Sequence, residues 1–270
     1  MRPPGLPDFR DPPVSEVVLS MQFDQLAQFQ SRHIGLLWQK FSASYPNVFE
    51  HPRLPPAFET FGPQNPINMF NLFAGLNLGQ TPRQWFVSAS GADLLQFQTD
   101  RFTHNWRKVS VAERYPRYET IRDVFLREVG ILEAFLAEMN LPALVPNQCE
   151  VSYVNDIPLD SFSDPTAEIF RVWQSPSSEL LGPVEDVGFV VRFIIRRDQG
   201  PLGRLIVQSG PANNLEGHPV IRLQLTARGA PLEPTIKGVL DFFDLGRQFI
   251  VQGFADLTTD QMHKNWGRVP

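Results

Sequence analysis

Two hydrophobic periods alternate along this chain, one of two residues and one of three to four. Residues 16–23, EVVLSMQF, form a β-rich apolar run that predicts a first strand. Ile34, Leu37, Trp38 and Phe41 then fall at helical spacing, predicting a helix over 31–44 with Ser31 as its N-cap and Pro46 beyond its end. Residues 83–88, 93–99 and 102–109 read as three antiparallel strands, turning at Ser90-Gly91 and at Asp100-Arg101. Leu95 and Phe97 alternate with Gln96 and Gln98, and Phe102, His104 and Trp106 share one face against Thr103, Asn105 and Arg107 on the other. A broad apolar stripe of Ile121, Val124, Phe125, Val129, Leu132, Phe135, Leu136 and Met139 predicts a helix over 118–139.

The same order then repeats. Residues 149–157 predict a strand and 165–174 a short helix with Asp164 as N-cap. Strands follow at 187–197, 203–208 and 219–227, and a closing helix at 236–257 whose Gly246 and Gly253 are expected to weaken it. The segments SEVVLSMQF and CEVSYVNDI hold equivalent places in the two cycles. The expected fold is α+β, with two related halves, each an antiparallel sheet covered by helices, arising by internal duplication. Residues 1–13 form a Pro-rich extended arm, 14–145 the first half and 146–270 the second, packed as one unit. Residues 46–82 are rich in proline, asparagine and glycine and read as an irregular connection. That connection carries Phe58, Phe61, Met69, Phe70, Leu72 and Phe73, which must dock on something.

Composition narrows the functional classes. With 42% hydrophobic residues, including 22 Phe and 5 Trp, the chain can build an aromatic core. A net charge of −5 argues against a dedicated nucleic-acid binder, because phosphate contacts need a surplus of Lys and Arg. The lone Cys149 excludes an internal disulfide and any multi-cysteine metal site, and suits a reducing cytoplasm. The opening MRPPGLPDFRDPP lacks the apolar core of a secretory signal, and no run approaches the ~18 apolar residues of a membrane span. A soluble cytoplasmic protein is expected.

No metal set, phosphate loop or nucleophile elbow emerges, and neither a cofactor nor a metal is expected. His104 and His263 each lie beside an Asn-Trp pair, at a spacing that fits no zinc motif. Asp156, Asp160 and Asp164 share a loop with Ser161 and Ser163 but lack the glycine and terminal glutamate of a calcium loop. The richest stretch is 96–118, QFQTDRFTHNWRKVSVAERYPRY. Here Arg101, Arg107, Lys108, Arg114 and Arg117 interleave with Trp106, Tyr115 and Tyr118. Such a mixture can brace a hairpin against a helix, meet a partner protein, or stack on bases. Candidate binding residues are Arg101, Thr103, Asn105, Trp106, Arg107, Arg114 and Arg117, joined by Arg192 and Arg196 from a second basic strand. They would line a groove between the halves, walled by residues 94–108 and 52–82. The leading expectation is a non-enzymatic interaction protein whose partner is another protein, with self-association open. One alternative is an enzyme for a small polar or phosphorylated substrate, using His104, Asp100 and Arg107 as base, orienter and anion clamp. Another is a nucleic-acid-sensing subunit.

The segments PPVSEVVLSMQF, DRFTHNWRK with YPRYE, VSYVND and FADLTTDQMHKNWGR resemble, in that order, a sporadically distributed and uncharacterised prokaryotic family of about this length. The resemblance spans nearly the whole chain. It implies a mobile-gene setting such as a defence or toxin–antitoxin locus, where the protein would be an accessory or neutralising component. It supplies no catalytic residues.

Overall fold

A computed structural model describes residues 5–61, 81–110, 112–159, 162, 164–174, 180, 184–197 and 200–269. The main strands are β2 (Val14–Phe23), β3 (Asn47–His51), β4 (Arg83–Val87), β5 (Asp93–Gln98), β6 (Arg101–Arg107), β7 (Pro146–Pro158), β8 (Phe189–Arg197), β9 (Gly200–Asn213) and β10 (Pro219–Gly229). They form one antiparallel sheet in the order β3-β4-β5-β6-β2-β7-β10-β9-β8. A short ribbon pairs β1 (Asp8–Phe9) with β11 (Arg268–Val269), tying the two ends of the chain together. The helices are α1 (Ser31–Phe41), α2 (Tyr118–Glu138), α3 (Pro165–Ile169), α4 (Ile236–Leu257) and α5 (Asp260–Asn265).

The two first strands, β2 and β7, pair at the centre of the sheet, with Leu19 opposite Val151. On the far side of each lies the last strand of its own cycle, β6 beside β2 and β10 beside β7. Strand order therefore runs outward in the same sense from the β2–β7 seam. Only β3 lacks a counterpart among the described residues.

One face of the sheet carries the core. Val17, Leu19 and Met21 of β2, Phe102 of β6, Val151 of β7 and Leu223 and Leu225 of β10 are sealed from water. They pack with Phe125, Val129 and Leu132 of α2 and Val239, Phe243 and Ile250 of α4. Phe125 meets Phe243 edge-on with centroids 5.0 Å apart, joining the two long helices. Truncating such a buried ring costs about 3–5 kcal/mol. Gly246 and Gly253 do not interrupt α4. They let it sit against the sheet, since a Cβ on Gly246 would come within 3.0 Å of the Ala227 Cβ and one on Gly253 within 2.9 Å of a Leu205 methyl.

Several local expectations are corrected. α1 is capped at Gln30 rather than Ser31, and the Gln30 N–H donates to His33 Nδ1 at 3.0 Å, so His33 is an N-terminal helix clamp. The β5–β6 turn is Thr99-Asp100, one residue earlier than expected, because Gln98 pairs with Arg101. Residues 47–51, expected to be irregular, form strand β3. It lies at the sheet edge, largely exposed on both sides, so no alternation betrays it. Asp164 caps α3 as expected, accepting from the Ala167 N–H at 3.1 Å. Met69, Phe70, Leu72, Phe73, Asp160, Ser161 and Ser163 lie outside the described residues. No described helix is long and apolar enough to cross a membrane.

Candidate functional site

The groove expected between the halves lies on the face of the sheet opposite α2 and α4, and the chain's own residues 53–60 run across it. Gln98 accepts from the Leu54 N–H at 2.9 Å and donates to the Leu54 carbonyl at 2.9 Å. Gln22 does the same with Ala57, at 2.9 and 3.0 Å. Each side-chain amide thereby satisfies a backbone donor and acceptor as a neighbouring strand would. Arg53 is paired with Asp100 at 2.9 Å, and Arg204 pairs with Glu59 and donates to the Thr60 carbonyl. Arg101 is spent on this segment, donating to Gln22 and, at 3.0 Å, to the Pro55 carbonyl. Thr103 is buried with its hydroxyl 2.6 Å from that of Ser20, and Asn105 bridges Gln96 and Glu16. Trp106 faces the core, 5.6 Å from the Tyr115 ring. Arg192 and Arg196 lie far along the sheet, on its outermost strand β8.

His104, Asp100 and Arg107 do not converge. His104 is sealed in the core with Nδ1 3.0 Å from Glu128 and Nε2 3.7 Å from Asp93. Tyr45 donates to the same Glu128 carboxylate. Burial, ahead of the Glu128 charge, pushes the Tyr45 hydroxyl well above its ordinary range. Burial likewise raises Asp93, with the nearby His104 pulling the other way. Asp100 occupies the hairpin turn, and Arg107 donates to the Gly91 carbonyl at 2.9 Å on the other face. Cys149 is buried and its thiol is pushed up by desolvation, which makes it a structural side chain. His263 is buried at α5, 2.9 Å from the Thr258 hydroxyl. Asp156 pairs with Arg222 at 2.7 Å. Among the described residues no cluster of His, Cys, Asp and Glu could hold a metal ion.

The open concavity lies at the end of the sheet where the N-terminal arm, the β6–α2 connection and α4 meet. Two adjoining cavities share walls made by Pro12, Val14, Tyr115 and Arg117. The inner one, of about 300 Å³, is lined by Tyr118, Glu119, Tyr153, Asn155 and Arg247. The outer one, of about 990 Å³, is lined by Arg10, Lys108, Glu113, Arg114, Leu215 and Trp266. Arg114, Arg117, Lys108, Tyr115 and Tyr118 of the basic, aromatic stretch thus come together here.

Arg117 is the hinge of this site. Its backbone holds φ 75° and ψ 153°, a region that L-residues other than glycine rarely occupy. That conformation ends the β6–α2 connection and turns the chain into α2. It also directs the guanidinium back to the arm, where it donates to the Phe9 carbonyl at 3.0 Å and the Arg10 carbonyl at 3.1 Å. The arm is fastened on its other side by Phe9, packed against Phe254 and Trp266.

The inner cavity is floored by polar groups held in a buried network. The Tyr115 and Tyr153 hydroxyls lie 3.0 Å apart. Burial pushes Tyr153 up to about 12, against the opposing pull of its hydrogen bond from Tyr115. Burial raises Tyr115 as well. Arg247 is nine-tenths buried, pairs with Glu119 at 2.9 Å and lies 4.7 Å over the Tyr118 ring. Its Nε is buried with no hydrogen-bond partner among the described residues. Tyr118 donates to Asp244 at 2.7 Å, and Arg122 braces the same carboxylate.

Tyr153, Asn155, Arg247 and Glu119 were not among the sequence-derived candidates. One signal was present for Arg247: it interrupts the apolar stripe of α4, one turn from Phe243 and from Ile250. Glu128 interrupts the stripe of α2 in the same way, between Phe125 and Leu132. Comparison with protein-family models, with curated proteins and with solved structures finds no match to this chain.

Proposed function

We propose that this chain is a non-enzymatic interaction protein that receives a segment of a partner protein in the cleft between the arm, the β6–α2 connection and α4. The observation that carries this reading is Arg117, a strained non-glycine residue in the wall shared by both cavities. Backbone strain of this kind costs about 1–3 kcal/mol and persists where the surroundings require the residue. The character of the outer cavity favours a protein over a nucleic acid. Pro12, Pro13, Val14, Val109, Leu215 and Trp266 supply an apolar floor. Charges of both signs rim it, with Arg10, Lys108, Arg114 and Arg117 set against Asp11, Glu113, Asp156 and Glu216. A phosphate backbone calls for a basic surplus, whereas protein interfaces combine an apolar centre with a mixed polar rim.

The test is comparative capture from an extract of the encoding organism. Wild-type protein is expected to retain a defined partner that Tyr115→Ala and Arg114→Glu lose. Equal retention by all three, or none by any, would sink the reading. The matching strand order on either side of the β2–β7 seam supports, as a further proposal, an origin by duplication of a strand–helix–three-strand–helix unit.

A further inference from the structure

The two edges of the nine-stranded sheet are built differently. At one end β3 is five residues long, sits between Pro46 and Pro52 and carries Glu50. Short length, flanking prolines and charge are devices that stop an edge from pairing with another chain. At the other end β8 has nine residues, FVVRFIIRR, with no proline. Its inner side pairs with β9, and among the described residues nothing pairs with its outer side. Val190, Phe193 and Ile194 are 48%, 43% and 45% exposed. Val190 and Ile194 lie on the face opposite α2 and α4 and Phe193 on the other, so apolar surface flanks the edge on both sides.

The charges on this strand are all of one sign. Arg192, Arg196 and Arg197 are exposed and make no ion pair among the described residues. The neighbouring strands differ: Arg204, Arg222 and Arg228 are each paired with a carboxylate. Among the described residues, the sheet neutralises Arg204, Arg222 and Arg228 and pairs none of the edge arginines.

We infer that the β8 edge is a docking site for an extended, acidic segment of another protein, which adds as a tenth, flanking strand. Main-chain hydrogen bonds along the edge would supply affinity, and carboxylates on one face of the incoming strand would meet Arg192 and Arg196, which share a face of β8. Apolar residues alternating with those carboxylates would cover Phe193 on the opposite face. A second copy of this chain is a poor occupant, because edge-to-edge pairing of two β8 strands brings six arginines to one seam with no carboxylate on either strand. The site is separate from the cleft, and either can fail without the other.

The test uses the full chain and two fluorescent peptides of about eight residues, the length of such a strand. One alternates valine with glutamate and the other valine with lysine. Binding is read by anisotropy, and self-association by sedimentation. The glutamate peptide is expected to bind at least about tenfold more tightly than the lysine peptide, since opposite-charge cross-strand pairs with Arg192 and Arg196 are gained in one and like-charge pairs in the other. Arg192→Glu and, separately, Arg196→Gln should weaken it, while Arg114→Glu in the cleft leaves it unchanged. Both arginines are exposed, and circular dichroism checks that each variant is folded. Equal binding of the two peptides, no binding, insensitivity to both edge variants, or a wild-type dimer abolished by Ile194→Lys would overturn the inference.

Discussion

The Nδ1 of His104 and the carboxylate of Glu128 lie 3.0 Å apart with both residues closed to water, joining strand β6 to helix α2. Removing one partner strands the other in an apolar interior, which costs about 3–5 kcal/mol. His104→Ala and Glu128→Ala are therefore each expected to lower unfolding free energy by that order. Tyr45→Phe, which leaves the carboxylate its histidine, should cost only about 1–2 kcal/mol. Urea denaturation of the three variants checks the ranking. A His104→Ala protein as stable as wild type would contradict the structural role assigned to this pair.

A second histidine makes stability depend on pH. Burial, then Arg268 and Arg171, hold His263 below its ordinary 6.5, with Asp260 pulling weakly the other way. Because the folded pKa is depressed, the unfolded chain takes up the proton first as pH falls. Stability from this group is present above 6.5, begins to be lost below it and is lost as pH falls on through the lower folded pKa. Thermal melts between pH 7.5 and 5.5 should show a decline that His263→Gln makes shallower.

The two glycines of α4 should respond differently to the same substitution. Alanine in a helix interior is favoured over glycine by about 1 kcal/mol. At Gly246 the new Cβ would press on the Ala227 Cβ, which is fixed to the central sheet and cannot turn away. At Gly253 it would meet the end of the Leu205 side chain, which can rotate. Gly246→Ala is expected to destabilise by about 1–3 kcal/mol, as overpacking does. Gly253→Ala should lie within about 1 kcal/mol of wild type, its helix gain offsetting a small repacking cost. Denaturant midpoints separate the two outcomes.

Arg117 allows strain to be separated from contact. Arg117→Ala keeps the unfavourable backbone angle and loses the bonds to Phe9 and Arg10, so it should destabilise by about 1–2 kcal/mol. Arg117→Gly loses the same bonds but relieves strain of about 1–3 kcal/mol. The glycine variant should therefore melt above the alanine variant while both release the arm. Limited proteolysis within residues 5–13 reports that release directly.

The elements legible in the sequence were those buried on one side. β5 and α2 announce themselves because Leu95 and Phe97, or Phe125, Val129 and Leu132, repeat at the period of their own backbone. β3 was invisible because it is held by pairing with β4 and buries little. Residues 102–109 read as a strand with a core face and an outer face, yet both faces of β6 are largely buried, since residues 53–60 lie over the second one. That coverage depends on contacts between positions more than 40 residues apart, which no local period encodes. The cleft was half legible. Arg114, Arg117 and Tyr115 stand in one stretch, whereas Tyr153 on β7 and Arg247 on α4 are far along the chain and reach the cleft through the pairing of β2 with β7. The position of β8 at the end of the sheet is a matter of strand order, and its apolar run alone suits a central strand equally well.

The claim that the cleft receives a partner protein is tested most directly by photo-crosslinking in an extract of the encoding organism. A photoreactive side chain is placed at Arg114 or at Leu215, both in the outer cavity, and at Leu126, exposed on the outside of α2. Adducts of one discrete mass from positions 114 and 215, absent from 126 and lost when Tyr115→Ala is added, are the predicted result. Equal labelling from all three positions, or none from the two in the cleft, would contradict it.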